Sequence, residues 1–138
     1  MSATTHAETK VSLALDAIQS KRRIERVNEA ATALLERYST HTGTEDRVNA
    51  FFELVRRNFT PEIAVEFRGL VLCTDAVSAE RGDHVFRATL KGADGAAGTV
   101  TAYYAPPGTL GLTADEWQAA MRLLTGILGL ALGGSATI

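Results

Sequence analysis

Cysteine is almost missing from this chain. Cys73 stands alone among 138 residues, so no internal disulfide can form, and the usage is compatible with a reducing cytoplasm, the expected location. No charge of one sign dominates: the formal net charge is −2, which gives no global attraction to nucleic acid or to an anionic membrane. Long hydrophobic runs are lacking too. The most apolar segment, Ile127 to Leu132 with its neighbours, is far shorter than the roughly 20 residues of a spanning helix, so no membrane insertion is expected. The first twenty residues have neither the basic start nor the apolar run of a secretory signal.

Chemical signatures are equally scarce. His6, His41 and His84 lie on different stretches, with no i,i+4 pair and no cysteine beside them, so no metal site is expected. No glycine-rich phosphate loop occurs, and no nucleophile sits in a strained turn. Catalytic residues and cofactors are therefore expected to be none, and the chain is not expected to be an enzyme. Glu80, Arg81, Asp83 and His84 do cluster, and a carboxylate beside a histidine could orient it as a base. A solvated loop that meets a ligand or partner explains them better. Lys21, Arg22, Arg23 and Arg26 form a local basic patch, but Glu25 and Glu29 dilute it and no aromatics interleave, so nucleic acid is not an expected partner. Arg outnumbers Lys eleven to three, a usage that hints at a GC-rich bacterial source.

What is present is a core. The hydrophobic share of 46% is ample for one domain of ordinary size, taken here as 1–138. Its end is the most legible part. Val100, Ala102 and Tyr104 alternate with Thr99, Thr101 and Tyr103, the period of a strand with one face on a core. Pro106 and Pro107 end it, since neither can donate to a ladder. Thr113 and Glu116 then have capping-box spacing, with Leu112 placed to staple on Trp117. Trp117, Ala120, Met121, Leu124, Ile127, Leu128 and Ala131 follow at helical spacing.

Upstream, Thr5 and Glu8 open a helical pattern that runs to about Ser39. Within it Leu13, Ala17, Ser20, Ile24, Val27, Ala31, Leu34 and Tyr38 alternate spacings of four and three, an a/d seam with Ala17 and Ser20 as weak points. A helix this long suggests a partner helix; the alternative is that its last half alone packs on its own sheet and its first half is mobile. Thr42 and Glu45 offer a further capping box to a helix over about 45–58, with Val48, Phe51, Phe52, Val55 and Phe59 on one stripe. Thr60-Pro61 stops that helix. Ile63, Val65, Phe67, Val71 and Cys73 alternate in phase through Gly69, with Leu70 and Leu72 on the other side favouring partial burial of both faces near the end, so 62–75 is one bent strand or two strands meeting at Arg68-Gly69. Cys73 reads as a small buried hydrophobe. His84 to Lys91 is the next strand, and Gly92-Ala93-Asp94-Gly95 a hairpin turn into the strand at Gly98. The expected fold is α+β: an antiparallel sheet of three to four strands, five at the upper limit, helices on one face, and a long N-terminal helix over 1–40 ahead of an α-β-β-β-α core over 44–132.

The words GTVTAYYAPP and LTADEWQAAMRLLTGILGLAL resemble the C-terminal end of a GAF domain, where an alternating strand is followed by a turn, a Thr or Ser cap, acidic residues and an apolar helix. The resemblance covers the last third well and Thr44 to Asp75 more loosely. It implies a signalling or regulatory role. The middle departs: where a GAF domain inserts the helices and strand that wall its ligand pocket, only the loop Ala76 to Asp83 is present, so a full-sized pocket is not implied. The Asn-Lys-Phe-Asp-Glu residues of cyclic-nucleotide GAF domains, the bilin-attaching Cys on a pocket helix and the several cysteines of the sulfoxide-reducing type have no equivalents. The expected function is a reduced GAF-like, non-catalytic adaptor that binds another signalling protein. The alternative is a small-ligand sensor with a shallow pocket between the sheet and loop 76–83, and a catalyst using His84 is the third reading. Flanking helices commonly dimerise such modules, so a parallel homodimer is expected through Leu13, Ala17, Ile24, Val27, Ala31, Leu34 and Tyr38, joined by Leu123, Gly126 and Leu130 of the last helix. Gly126 and Gly129 would let a partner helix approach. If the seam is exposed along its length, charges at Ile24 and Leu34 should yield a folded monomer.

Overall fold

The computed structural model describes residues 2–74, 85–104 and 111–138, with side chains from Thr9 onward. The fold is α+β, in the order α1 (Ser2–Thr40), α2 (Thr44–Asn58), β1 (Ile63–Phe67), β2 (Leu70–Cys73), β3 (Val85–Lys91), β4 (Ala97–Tyr103), α3 (Ala114–Ala131) and β5 (Ser135–Thr137). All strands pair antiparallel in one open sheet, in the spatial order β2-β1-β4-β3-β5.

Period-two patterning decides the faces. Ile63, Val65 and Phe67, Phe86, Ala88 and Leu90, and Val100 and Ala102 are buried on one face, whereas Glu66, Arg87, Thr89 and Thr99 stand exposed on the other. This is the expected division for an antiparallel sheet with one covered face. The cover is α2, which contributes Val48, Phe51 and Val55, and α3, which contributes Trp117, Met121, Leu124 and Leu128. The cap of α3 is formed as its spacing requires: the Glu116 amide donates to the Thr113 hydroxyl, and the Thr113 amide donates to the Glu116 carboxylate. α2 differs from expectation. Its N-cap is Gly43, with no side-chain cap, because the three-residue link from α1 starts the helix one residue later than a Thr42 cap would.

Residues 62–75 resolve into two strands, and the turn between them overturns the phase read through Gly69. Arg68 and Gly69 both take positive φ (52° and 79°), the two-residue hairpin geometry that matches strand twist. Phe67 therefore pairs with Leu70, and Val65 with Leu72. The core side continues into Leu70 and Leu72, while Val71 and Cys73 point outward and are exposed. Cys73 is thus an exposed residue of an edge strand and not a buried hydrophobe. At the same end of the sheet Arg68 donates to Asp94 of the β3–β4 turn. That contact, with the Ala96 amide, draws the Asp94 carboxyl down to about 2.

β5 has no counterpart in the expected fold. α3 ends in a Schellman motif: the Gly134 amide donates to the Gly129 carbonyl and the Gly133 amide to that of Leu130, each at 3.0 Å, with Gly133 at φ 79°. The reversal lays Ser135–Thr137 along β3. Gly129 is consumed by this turn. A Cβ there would lie 2.7 Å from the Ala136 nitrogen, so its close approach is to the protein's own β5, not to a partner helix.

Candidate interaction surface on α1 and α3

α1 has 39 residues, about 58 Å at 1.5 Å per residue, whereas a compact body of this size is about 35 to 40 Å across. The seam along it divides accordingly. Ala31, Leu34 and Tyr38 are buried within the protomer, Leu34 completely, and Val27 packs partly against the same core. These residues are unavailable to a partner helix, which corrects the reading of the seam as one continuous interface. Leu13 and Ile24 are 64% and 52% exposed, and Ala17 is exposed between them.

The buried half is anchored at both ends, and the anchors fix its direction. Near its start the Arg23 guanidinium meets the Glu116 carboxylate at 3.0 Å. Burial raises the Glu116 carboxyl, but the Thr113 amide and Arg23 hold it below its ordinary value. At its end Arg47 donates to three carbonyls at once: Ala131 at 2.6 Å, His41 at 2.9 Å and Tyr38 at 3.2 Å. One cation thereby satisfies open carbonyls at the C-termini of both α1 and α3. Its guanidinium also lies 5.7 Å from the Tyr38 ring centre, whose hydroxyl donates to the Arg47 carbonyl. Burial of that phenol pushes its ionisation upward, against the opposing pull of Arg47. Arg23 with Glu116, and Arg47 bridging the Tyr38 and Ala131 carbonyls, place α1 and α3 side by side in the same direction. Arg47→Ala is expected to cost about 2 to 3 kcal/mol, the range for charged hydrogen bonds lost from partly buried acceptors, with Arg47→Lys recovering only part. Urea denaturation checks this, and an unshifted midpoint would refute the clamp.

Between the two helices runs a cleft of about 200 Å³ lined by Ile24, Val27, Leu112, Ala119, Ala120 and Leu123 beside Glu116. Its rim continues down α3, where Leu123 and Leu130 are exposed and Gly126 faces open space. The three α3 positions read from sequence, Leu123, Gly126 and Leu130, therefore share the exposed side of that helix with Ala119. Sequence reasoning missed Leu35, which is exposed on α1 three turns beyond Ile24. It also missed Val11, Leu15 and Ile18, all about half exposed or more. With Leu13, Ala14 and Ala17 they make residues 11–18 apolar round about 200° of the helix. An i, i+4, i+7 search beside the a/d search would have found them.

Other sites carry less. Glu80, Arg81, Asp83 and His84 lie outside the described residues, as does the loop 76–83 proposed to wall a pocket. An open cleft of about 460 Å³ lies at the β1–β2 turn, lined by Thr44, Glu45, Val48, Phe67, Arg68, Gly69 and Leu70, with Arg68 engaged by Asp94. Among the described residues no group of His, Cys, Asp and Glu could hold a metal ion, and no helix is long and apolar enough to cross a membrane. The chain matches no protein-family model, no curated protein and no solved structure.

Proposed function

We propose that this chain is a non-catalytic adaptor, a cytoplasmic signalling or regulatory subunit of reduced GAF-like build that forms a homodimer and binds a second signalling protein. The observation that carries the reading is the apolar strip Leu13, Ile24 and Leu35 on α1 with Leu123 and Leu130 on α3, exposed on two adjacent parallel helices. Ile24 and Leu123 meet in the cleft between these helices, and apolar surface gathered in this way marks a contact site. A protruding helix with an apolar face has little reason to persist in water unless another helix covers it. The alternating strand at Gly98 followed by the capped α3 supports the GAF-like part of the reading. A second copy on this strip would leave Val11, Leu15 and Ile18, and the outer face of the sheet, for a different protein.

Light scattering at micromolar concentration tests the dimer. The expected mass is about twice the 14.7 kDa of the chain, and Ile24→Asp with Leu123→Asp should give a folded protein at 14.7 kDa, because both side chains already face water. A wild-type monomer would refute homodimerisation.

A further inference from the structure

The exposed face of α1 carries a symmetry that specifies how two copies meet. Leu13, Ile24 and Leu35 are spaced by eleven residues on either side of Ile24, three helical turns each way, so they lie nearly in line. Beside this line runs a row of charges with a defined order. Lys10 and Lys21 occupy the N-terminal half and Glu25 and Glu36 the C-terminal half. The spacings of eleven, four and eleven keep all four on one flank. All four are exposed, and none forms an ion pair within the protomer among the described residues.

From this we propose that the second copy docks antiparallel along α1, about a two-fold axis beside Ile24. The inference rests on the homodimer reading above. In that arrangement like flanks face each other, as a two-fold axis requires. Ile24 meets its own copy, Leu13 meets the partner's Leu35, Lys21 meets the partner's Glu25 and Lys10 meets the partner's Glu36. Every charge in the row then has an opposite partner, twice over by symmetry. A parallel, in-register pairing brings Lys10 level with Lys10, and Glu36 level with Glu36, so the ordered row confers no complementarity.

The body of the protein fits the antiparallel choice. Because α1 and α3 run in the same direction with Arg23 level with Glu116, the level of Leu35 on α1 corresponds to the last turn of α3. The partner's Leu13 therefore enters between Leu35 and the exposed Leu130. One and two turns further along the partner helix, the small side chains Ala17 and Ser20 pass over Gly126 and Leu123 in turn, where Gly126 offers open space. The two weak points of a self-contained seam become the residues that allow a helix to lie in the α1/α3 groove. Each protruding N-terminal half is thereby covered by the body of the other copy.

Cysteine cross-linking in a Cys73→Ser background reads the orientation. Leu13→Cys and Leu35→Cys proteins, one carrying a mass tag, are mixed and oxidised with glutathione disulfide. The expected product is the mixed disulfide dimer that joins position 13 of one copy to position 35 of the other, with little cross-linking of either variant alone. Predominant Leu13→Cys self-cross-linking would overturn the antiparallel arrangement while leaving the homodimer intact. No cross-link in any combination, with a monomeric mass by light scattering, would overturn the homodimer and this arrangement with it. Independently, Lys21→Glu should weaken dimerisation about tenfold, from two lost pairs and new repulsion. Lys21→Glu combined with Glu25→Lys should restore it, and a double variant no tighter than the single one would refute the pairing.

Discussion

Trp117→Ala is expected to lower the unfolding free energy by about 3 to 5 kcal/mol, the range for deleting a buried large aromatic. Trp117 has no exposed surface. Its indole N–H donates to the Phe59 carbonyl at 2.8 Å, at the C-cap of α2, and its ring lies 5.5 Å from that of Tyr104. Tyr104 in turn donates through its hydroxyl to the Leu112 carbonyl, beside the cap of α3. One side chain thus joins the end of α2, the strand exit and the start of α3, and the alanine variant would leave both a cavity and an unpaired carbonyl. Trp117→Phe separates the two contributions. It keeps most of the apolar volume and should cost about 1 to 3 kcal/mol for the orphaned Phe59 carbonyl. Urea denaturation followed by far-ultraviolet circular dichroism is the measurement, since Trp117 is the chain's sole tryptophan and fluorescence is lost with it. An unchanged midpoint in Trp117→Ala would remove Trp117 from the core.

Leu34→Asp is expected to prevent folding, and Ile24→Asp to leave the fold intact. Both positions belong to one a/d seam, yet Leu34 has no exposed surface and Ile24 has half of its own. An unpaired carboxylate at Leu34 would add several kcal/mol of desolvation to the lost packing, set against a total stability of about 5 to 15 kcal/mol for a domain. Leu34→Ala, which adds no charge, should cost about 2 to 5 kcal/mol. Circular dichroism and light scattering on the three variants decide the matter. A folded, monomeric Leu34→Asp protein would return the whole seam to the intermolecular interface. For the same reason, placing charges at Ile24 and Leu34 together cannot give the folded monomer that a fully exposed seam would allow.

Residue patterns within the chain settled the α+β class, the Thr113–Glu116 cap and, to about one residue in their bounds, the helices found at Thr44–Asn58 and Ala114–Ala131 and the strands found at Val85–Lys91 and Ala97–Tyr103. Each depends on neighbours a few residues apart: side-chain period, a proline stop, or a cap four positions wide. The fate of α1 did not depend on such neighbours. A heptad seam records that one stripe is buried, but not whether the burying surface belongs to the same molecule. Only the placement of α2 and α3 against residues 27–38, locked by Arg23 and Arg47, assigned Leu34 inward and left Ile24 outward. Side-chain phase after Phe67 was likewise decided by a turn: two residues at positive φ change which of Leu72 and Cys73 enters the core, because a strand's faces alternate at every residue. β5 is three residues long, too short for periodicity to register, and exists because the Schellman turn at Gly133-Gly134 returns the chain to the free edge of β3. Local pattern determined which of the longer segments are helix and strand. Contacts between segments distant in the chain determined which apolar faces remain for another molecule, since burial is a property of the assembled surface and not of any stretch by itself.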